Sequence, residues 1–443
     1  MNFSKSLELQ DKFNHLIPGG CHTYAKGDDQ YPESMPAYMT HGKGSHVWDV
    51  DGNEYIEYGM GLRSVTLGHA FEPVVTAAVK QMWLGNNFVR PSKLELDYAE
   101  EFLSLIESAE MVKFCKDGSD ATNGAVKLAR AYTNRDMVAV CGSHPFFSVD
   151  DWFIGSTPMA GGIPEVVRNL TVKFQYNDLE SVQRLFDEYP NEIACVILEA
   201  QKVEPPKNNF LHNLKELCHK HGVVFILDEM ITGFRWHLGG AQKQFNIEPD
   251  LCTFGKAMGN GFAISALAGK RELMELGGQF HSKERVFLIS TTHGAEHHAL
   301  AAGLAVIKYY REHDVIGRMY EQGRKLEEGV NAAAADLNIQ DKFGIIGPHC
   351  CSVYFTRDQE GKPSQPFRTL FIQETMKRGL LMPSTIVSYA HSDHDIEQTV
   401  QKIHEALKVY KQALEEGIDN YLIGRSVQPV FRKFNSLMQH ESV

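Results

Sequence analysis

At 443 residues, with 43% hydrophobic and 23% charged side chains, the chain exceeds one typical domain and has the composition of a globular protein with a large core. No apolar run approaches the roughly 18 residues of a membrane span. The net charge of −12, with lysine and arginine spread along the chain, argues against a nucleic-acid surface. Residues 1–16 are charged and amphipathic without a secretory or transit pattern, so a cytoplasmic location is expected. The eight cysteines show no Cys-x-x-Cys spacing and read as reduced core thiols. Cys218-His219-Lys220-His221 and His391-Ser392-Asp393-His394 are the metal-like groupings, one at a polar helix end and one in a turn, and no metal is expected.

In chain order, a short helix over 7–17 stops at Pro18-Gly19-Gly20, and residues 28–32 form a loop, which implies an N-terminal arm. Alternation over 45–58 predicts a hairpin turning on Asp51-Gly52-Asn53, a small antiparallel unit. Amphipathic helices follow at 73–84 and 93–106, then a short strand at 112–115, a turn, and a helix through residue 132. Strands at 138–141, 171–174, 193–198 and 223–227 alternate with helices at 179–189 and 209–221, the pattern of a mostly parallel sheet between helices. Short strands at 250–254, 264–268 and 286–288 precede a long helix from about 296 to 313. Residues 320–415 read as a smaller α+β unit, with 351–355 its clearest strand. The expected units are 1–75 (arm and antiparallel unit), 76–318 (large α/β domain) and 319–443 (small domain with tail).

Chemistry concentrates where the apolar strand 223–227 ends in Asp228 and Glu229, because ligands of open α/β sheets bind beyond the carboxyl ends of strands. The next segment delivers Lys256 between Gly255 and the pair Gly259 and Gly261, residues that let a backbone approach a ligand closely. A lysine amine and a strand-end acid are what pyridoxal phosphate requires: the amine for a Schiff base, the carboxylate for the pyridine nitrogen. An ordinary ion pair at a sheet edge fits these two residues equally well. The turn Asp117-Gly118-Ser119-Asp120-Ala121-Thr122, between strand and helix, is a candidate phosphate seat, or else a plain cap by Ser119 or Asp120. Nucleotide loops do not fit, since Lys256 is followed by Ala257 and Gly59-Met60-Gly61 by Leu62-Arg63-Ser64.

Together, Pro18-Gly19-Gly20, the run from Val47-Trp48-Asp49 to Tyr55-Ile56, Leu67-Gly68-His69-Ala70, Gly118-Ser119-Asp120-Ala121-Thr122, Asp228-Glu229-Met230-Ile231-Thr232-Gly233-Phe234-Arg235, Gly255-Lys256 and Ala390-His391-Ser392 resemble a known family. The chain is similar to class III aminotransferases of fold type I, and most to their glutamate-1-semialdehyde aminomutase branch. That resemblance implies a large domain with a seven-stranded, mostly parallel sheet, a smaller α+β domain, and pyridoxal phosphate as cofactor. It implies that Lys256 carries the cofactor and moves the proton, that Asp228 pairs with the pyridine nitrogen, and that Met230, in place of the usual valine, packs against the ring. Gly118 and Ser119 would hold the phosphate. Thr292, in Ser290-Thr291-Thr292-His293-Gly294, matches the threonine that reaches it from the other subunit, which implies a homodimer with sites at its interface.

Departures from the family pattern concern the substrate. Where the family has Tyr-His-Gly the chain reads Ser143-His144-Pro145-Phe146-Phe147, so His144 and Phe146 are both candidates to stack on the cofactor. The aminomutase residues that attend the substrate carboxylate become Thr23 and Lys26, and its Gly-Ser-Trp-Gly-Pro becomes Met60-Gly61-Leu62-Arg63-Ser64. A guanidinium suits a bidentate grip on an acid, which makes Arg63 the candidate substrate anchor, against a purely structural role. The segment 382–388 lacks the aminomutase glutamate. The expected activity is amino transfer from a donor, possibly glutamate, to an aldehyde or keto acceptor. Intramolecular transfer of the aminomutase type, and a cofactor-binding regulator without turnover, are the alternatives.

Overall fold

The computed structural model describes residues 1–435; the end of the expected tail, 436–443, lies outside the described residues. The central sheet has seven strands: β4 (Met111–Cys115), β5 (Met137–Cys141), β6 (Thr171–Phe174), β7 (Ile193–Leu198), β8 (Val224–Asp228), β9 (Leu251–Phe254) and β10 (Ser265–Gly269), in the order β4-β10-β9-β8-β7-β5-β6. Every residue of β5, β7, β8, β9 and β10 is buried, which is why these strands read as continuous apolar runs. β10 is antiparallel to both β4 and β9, and the remaining pairs are parallel. The carboxyl ends of β4, β5, β7, β8 and β9 therefore share one edge of the sheet.

Helices cross between the parallel strands. Leu179–Glu188 lies between β6 and β7, begins under the Asp178 side chain, which accepts from Ser181 N–H, and buries Val182 and Phe186 four residues apart. Phe210–Lys220 lies between β7 and β8 and buries Phe210, Leu211, Leu214 and Cys218 along one stripe. The long helix His297–Glu312 packs on Glu72–Leu84 and on Lys93–Leu103.

The predicted hairpin is present as β2 (His46–Asp49) against β3 (Glu54–Glu57), with β1 (Met39–Lys43) outside β2. This antiparallel unit is not self-contained, because β13 (Leu380–Leu381) pairs parallel with the other edge of β3. A further hairpin joins β11 (Phe343–Ile346) and β12 (Val353–Thr356). The expected strand at 286–288 is a correction. The segment joins none of the described sheets. It is held by Val286 N–H on the Leu276 carbonyl at 2.8 Å, with Val286 and Leu288 turned into the core and Phe287 outside.

Candidate active site

Asp228 is the last residue of β8 and pairs in register with Thr253 of β9, three positions before Lys256. Its Oδ1 accepts from Met230 N–H at 2.9 Å and from the Thr253 hydroxyl at 3.2 Å, while Oδ2 accepts nothing from a described residue. Burial pushes this carboxyl up to about 7, reinforced by neighbouring Glu199 and opposed by Lys256. Glu229 points elsewhere, as alternation requires. It is buried, accepts from Ala241 and Gln242 N–H at 2.8 Å each and from the Thr232 hydroxyl, and closes the loop before the short helix Ala241–Gln244. Of the two strand-end acids, one is left with an open oxygen and the other is fully engaged.

Lys256 follows Gly255 at the end of β9 and takes a left-handed backbone, φ +43°. For a side-chain-bearing residue that conformation costs roughly 1–2 kcal/mol, a strain typical of functional positions. Burial holds its amine below the ordinary lysine range. Asp228 and Glu199 pull it back up, and Arg63 and Lys202 push it further down. Asn260, again left-handed, then accepts from Thr66 and Leu67 N–H at 3.0 and 2.9 Å and donates to the Gly68 carbonyl, fixing the lysine turn to residues 66–68.

Met230 joins the strand ends together. A Cβ placed on Gly118 would lie 2.8 Å from its Sδ, and one on Gly255 2.6 Å from the same sulfur, so the two glycines and the thioether form one floor. At the adjoining turn the helix Gly118–Thr133 is capped by Asp117, whose Oδ1 accepts from Ser119 and Asp120 N–H at 2.9 and 3.0 Å. The cap is therefore neither Ser119 nor Asp120, and two of the helix's N–H groups are already taken. What remains at the turn is the Gly118 N–H, unpaired among the described residues, and the Ser119 hydroxyl. The hydroxyl oxygen accepts from Val149 N–H at 3.0 Å, which leaves its proton to donate. Asp120 turns its carboxylate back to Lys116 N–H.

Of the two stacking candidates, His144 is buried after β5. Its Nδ1 accepts from Glu199 N–H at 3.1 Å, which puts the ring proton on Nε2, and burial lowers the ring to about 4, so it is neutral near pH 7. Phe146 is 43% exposed and meets the edge of Phe153.

Arg63 closes a turn of left-handed backbone that starts at Met60, with φ of +42°, +57°, +56° and +74° at Met60, Gly61, Leu62 and Arg63. Only one of the four is glycine, so three residues each carry a strain of about 1–2 kcal/mol. The backbone of Arg63 is engaged at both ends, N–H on the Gly59 carbonyl and carbonyl on Arg235, while its half-buried guanidinium meets no partner among the described residues. Two other expected residues are not drawn in. Thr23 is exposed on the N-terminal arm, and Thr292 is exposed before His297–Glu312, its carbonyl accepting from Asn87 Nδ2 at 3.1 Å.

Sequence reasoning missed Glu199 and Lys202. Glu199 follows β7 as Asp228 ends β8, is buried, and has Oε1 3.3 Å from Lys202 Nζ and Oε2 without a partner among the described residues. The signal was present: the apolar run 193–198 stops at an acid just as 223–227 does.

These residues fit pyridoxal phosphate. An open carboxylate oxygen beside a lysine of lowered pKa, a small-residue floor and an unspent N–H and O–H at a helix start each match one part of that cofactor. Comparison with known proteins agrees. Residues 28–407 match the family described as Aminotransferase class-III. A glutamate-1-semialdehyde 2,1-aminomutase of Sulfurihydrogenibium azorense is 33% identical over 436 residues, covering 92% of this chain and 100% of that protein. Among solved structures, the pyridoxal-phosphate internal aldimine form of the Sphingopyxis sp. MTA144 FumI protein superposes with a TM-score of 0.85 at 23% identity, over 93% of this chain and 98% of that one. A glutamate-1-semialdehyde aminomutase from Pseudomonas aeruginosa PAO1 superposes with 0.79 at 20% identity, over 92% and 95%. With the matched region running through every strand end described above, the chain belongs to the class III aminotransferases, pyridoxal-phosphate-dependent enzymes of fold type I.

Proposed function

We propose that this protein is a transaminase that moves an amino group from glutamate to an aldehyde or keto acceptor in two half-reactions. The observation that carries the reading is the pairing of Lys256, its amine held below the ordinary range, with the open Oδ2 of Asp228 at the ends of neighbouring strands. Pyridoxal phosphate supplies the electron sink at such a site. Lys256 would attach it and carry the proton at the substrate carbon, a task helped by an amine that burial holds below the ordinary lysine range. Asp228 holds the proton-bearing ring nitrogen. Gly118 N–H and the Ser119 hydroxyl would take the phosphate, and Met230 and His144 would pack against the ring.

Arg63, whose guanidinium meets no described partner, grips the acidic group of the donor. A second copy of the chain completes it, the partner subunit's Thr292 reaching the phosphate. The exposed apolar side chains of Glu72–Leu84 and the following loop support that second copy: Val79, Met82, Trp83, Leu84, Phe88 and Val89 all face outward.

A second reading, intramolecular transfer as in glutamate-1-semialdehyde conversion, draws on the 33% identity to a protein of that name. Mixing the purified holoenzyme singly with glutamate, ω-amines and 4,5-diaminovalerate, and following the cofactor's absorbance, separates the readings. Conversion by glutamate with release of 2-oxoglutarate is the expected result. Response to diaminovalerate alone would make the protein an aminomutase, and a bound cofactor that no amine converts would make it a non-catalytic binder.

A further inference from the structure

Residues 58–68 form a span clamped at both ends. At one, the Tyr58 carbonyl accepts from Ile386 N–H at 2.9 Å and the Ser384 hydroxyl at 3.0 Å. At the other, Asn260 holds the N–H groups of Thr66 and Leu67. Between the clamps the left-handed turn Met60–Arg63, three of whose residues carry a Cβ, is closed locally by Arg63 N–H on the Gly59 carbonyl and Val65 N–H on the Met60 carbonyl, bonds that do not tie it to the rest of the molecule.

The group that holds it from outside the span is Arg235. This side chain is fully buried, the largest of the completely enclosed residues, and its guanidinium reaches three carbonyls on three separate segments. NH2 donates to Arg63 at 3.0 Å, and NH1 to Cys350 at 3.1 Å and Val387 at 3.2 Å. A charged donor committed to backbone carbonyls in a water-poor setting makes strong, direction-fixing bonds. Within the left-handed turn the Arg63 carbonyl is its hydrogen-bond acceptor, and holding that carbonyl fixes the peptide plane that follows the Arg63 Cα, from which the Arg63 side chain leaves.

We propose that Arg235 is a positioning residue for substrate recognition: by fixing the Arg63 carbonyl it keeps the Met60–Arg63 turn left-handed and aims the Arg63 guanidinium at the acidic group of the substrate. The proposal rests on the reading of Arg63 as substrate anchor. It adds that the anchor is only as good as a buried arginine that touches neither substrate nor cofactor. A lysine puts all its donors on one nitrogen, where the guanidinium spreads them over NH1 and NH2, so it cannot keep these three carbonyls at their present distances.

The test is calorimetric titration of the holoenzyme with glutarate, a dicarboxylate that has the donor's acid groups and no amine. Arg63→Ala, Arg235→Lys and Arg235→Gln are each expected to raise its Kd by about tenfold or more, with the absorption spectrum of the bound cofactor unchanged. In the double variant Arg63→Ala/Arg235→Lys the effects should not add, because the second change acts through a side chain already gone. Full additivity, or wild-type affinity in both Arg235 variants beside a weakened Arg63→Ala, overturns this inference and leaves Arg63 as the anchor. An unaffected Arg63→Ala, or a wild-type protein that ignores glutarate, overturns the anchor reading and this one with it. If neither Arg235 variant folds, Arg235 is a folding residue and the positioning role is lost.

Discussion

Among the individual side chains, Asp228 has the clearest consequence for pH. Its carboxyl is pushed from an ordinary 3.8 to about 7 by burial and by Glu199. Between those values the unfolded chain has released a proton that the folded apoprotein still holds, so this group makes stability fall as pH rises through the window. Asp228→Asn removes the effect: the melting temperature of the apoprotein should decline less steeply from about pH 4 to 7 than that of wild type. Parallel profiles would show that the carboxyl is not held up. In the holoenzyme the same substitution should retain cofactor and lose turnover by orders of magnitude, since an amide cannot keep the ring nitrogen protonated. An unchanged rate would remove Asp228 from that role. Arg63→Ala should raise the KM for glutamate more than it lowers kcat, the signature of a lost binding contact, and no change in either would leave Arg63 structural.

Secondary-structure elements carry these side chains to one place, and here the sequence was partly legible. Apolar runs that stop abruptly at a charge marked β8 and its acid, and glycine flanks marked Lys256, because burial on both faces and close backbone approach leave compositional traces. The same trace marked Glu199 and went unread. Strand direction leaves none: the antiparallel run of β10 and the two-residue pairing of β13 with β3 arise from tertiary packing. The left-handed turn at Met60–Arg63 was equally hidden, since three of its residues have no preference for that backbone and its bond to Arg235 spans 172 positions of sequence. One such arrangement can be tested through a helix. Gly323, in Val315–Asp336, lets the turn at 349–351 pass so close that a Cβ would lie 1.7 Å from the His349 carbonyl, next to the Cys350 carbonyl that Arg235 holds. Gly323→Ala should destabilise by about 1–3 kcal/mol or more, read as a lowered denaturation midpoint. A wild-type midpoint would mean that this approach is looser than described.

On the scale of the whole molecule, the proposed site is one shared between two copies of the chain. Thr292 is exposed and its side chain has no hydrogen bond among the described residues, and Trp83, 87% exposed, lies with Val79 and Met82 on the outer face of the helix Glu72–Leu84, the surface proposed to meet the second copy. Val79→Glu/Trp83→Glu should shift sedimentation from dimer to monomer and remove activity with it. A fully active monomer would contradict a shared site.

The central claim, that Lys256 is the covalent seat of the cofactor, is tested most directly by borohydride reduction of the holoenzyme followed by peptide mass mapping. The account predicts one phosphopyridoxyl group, on Lys256, and none in Lys256→Ala. A reduced adduct on another lysine, or one that persists in Lys256→Ala, would contradict it.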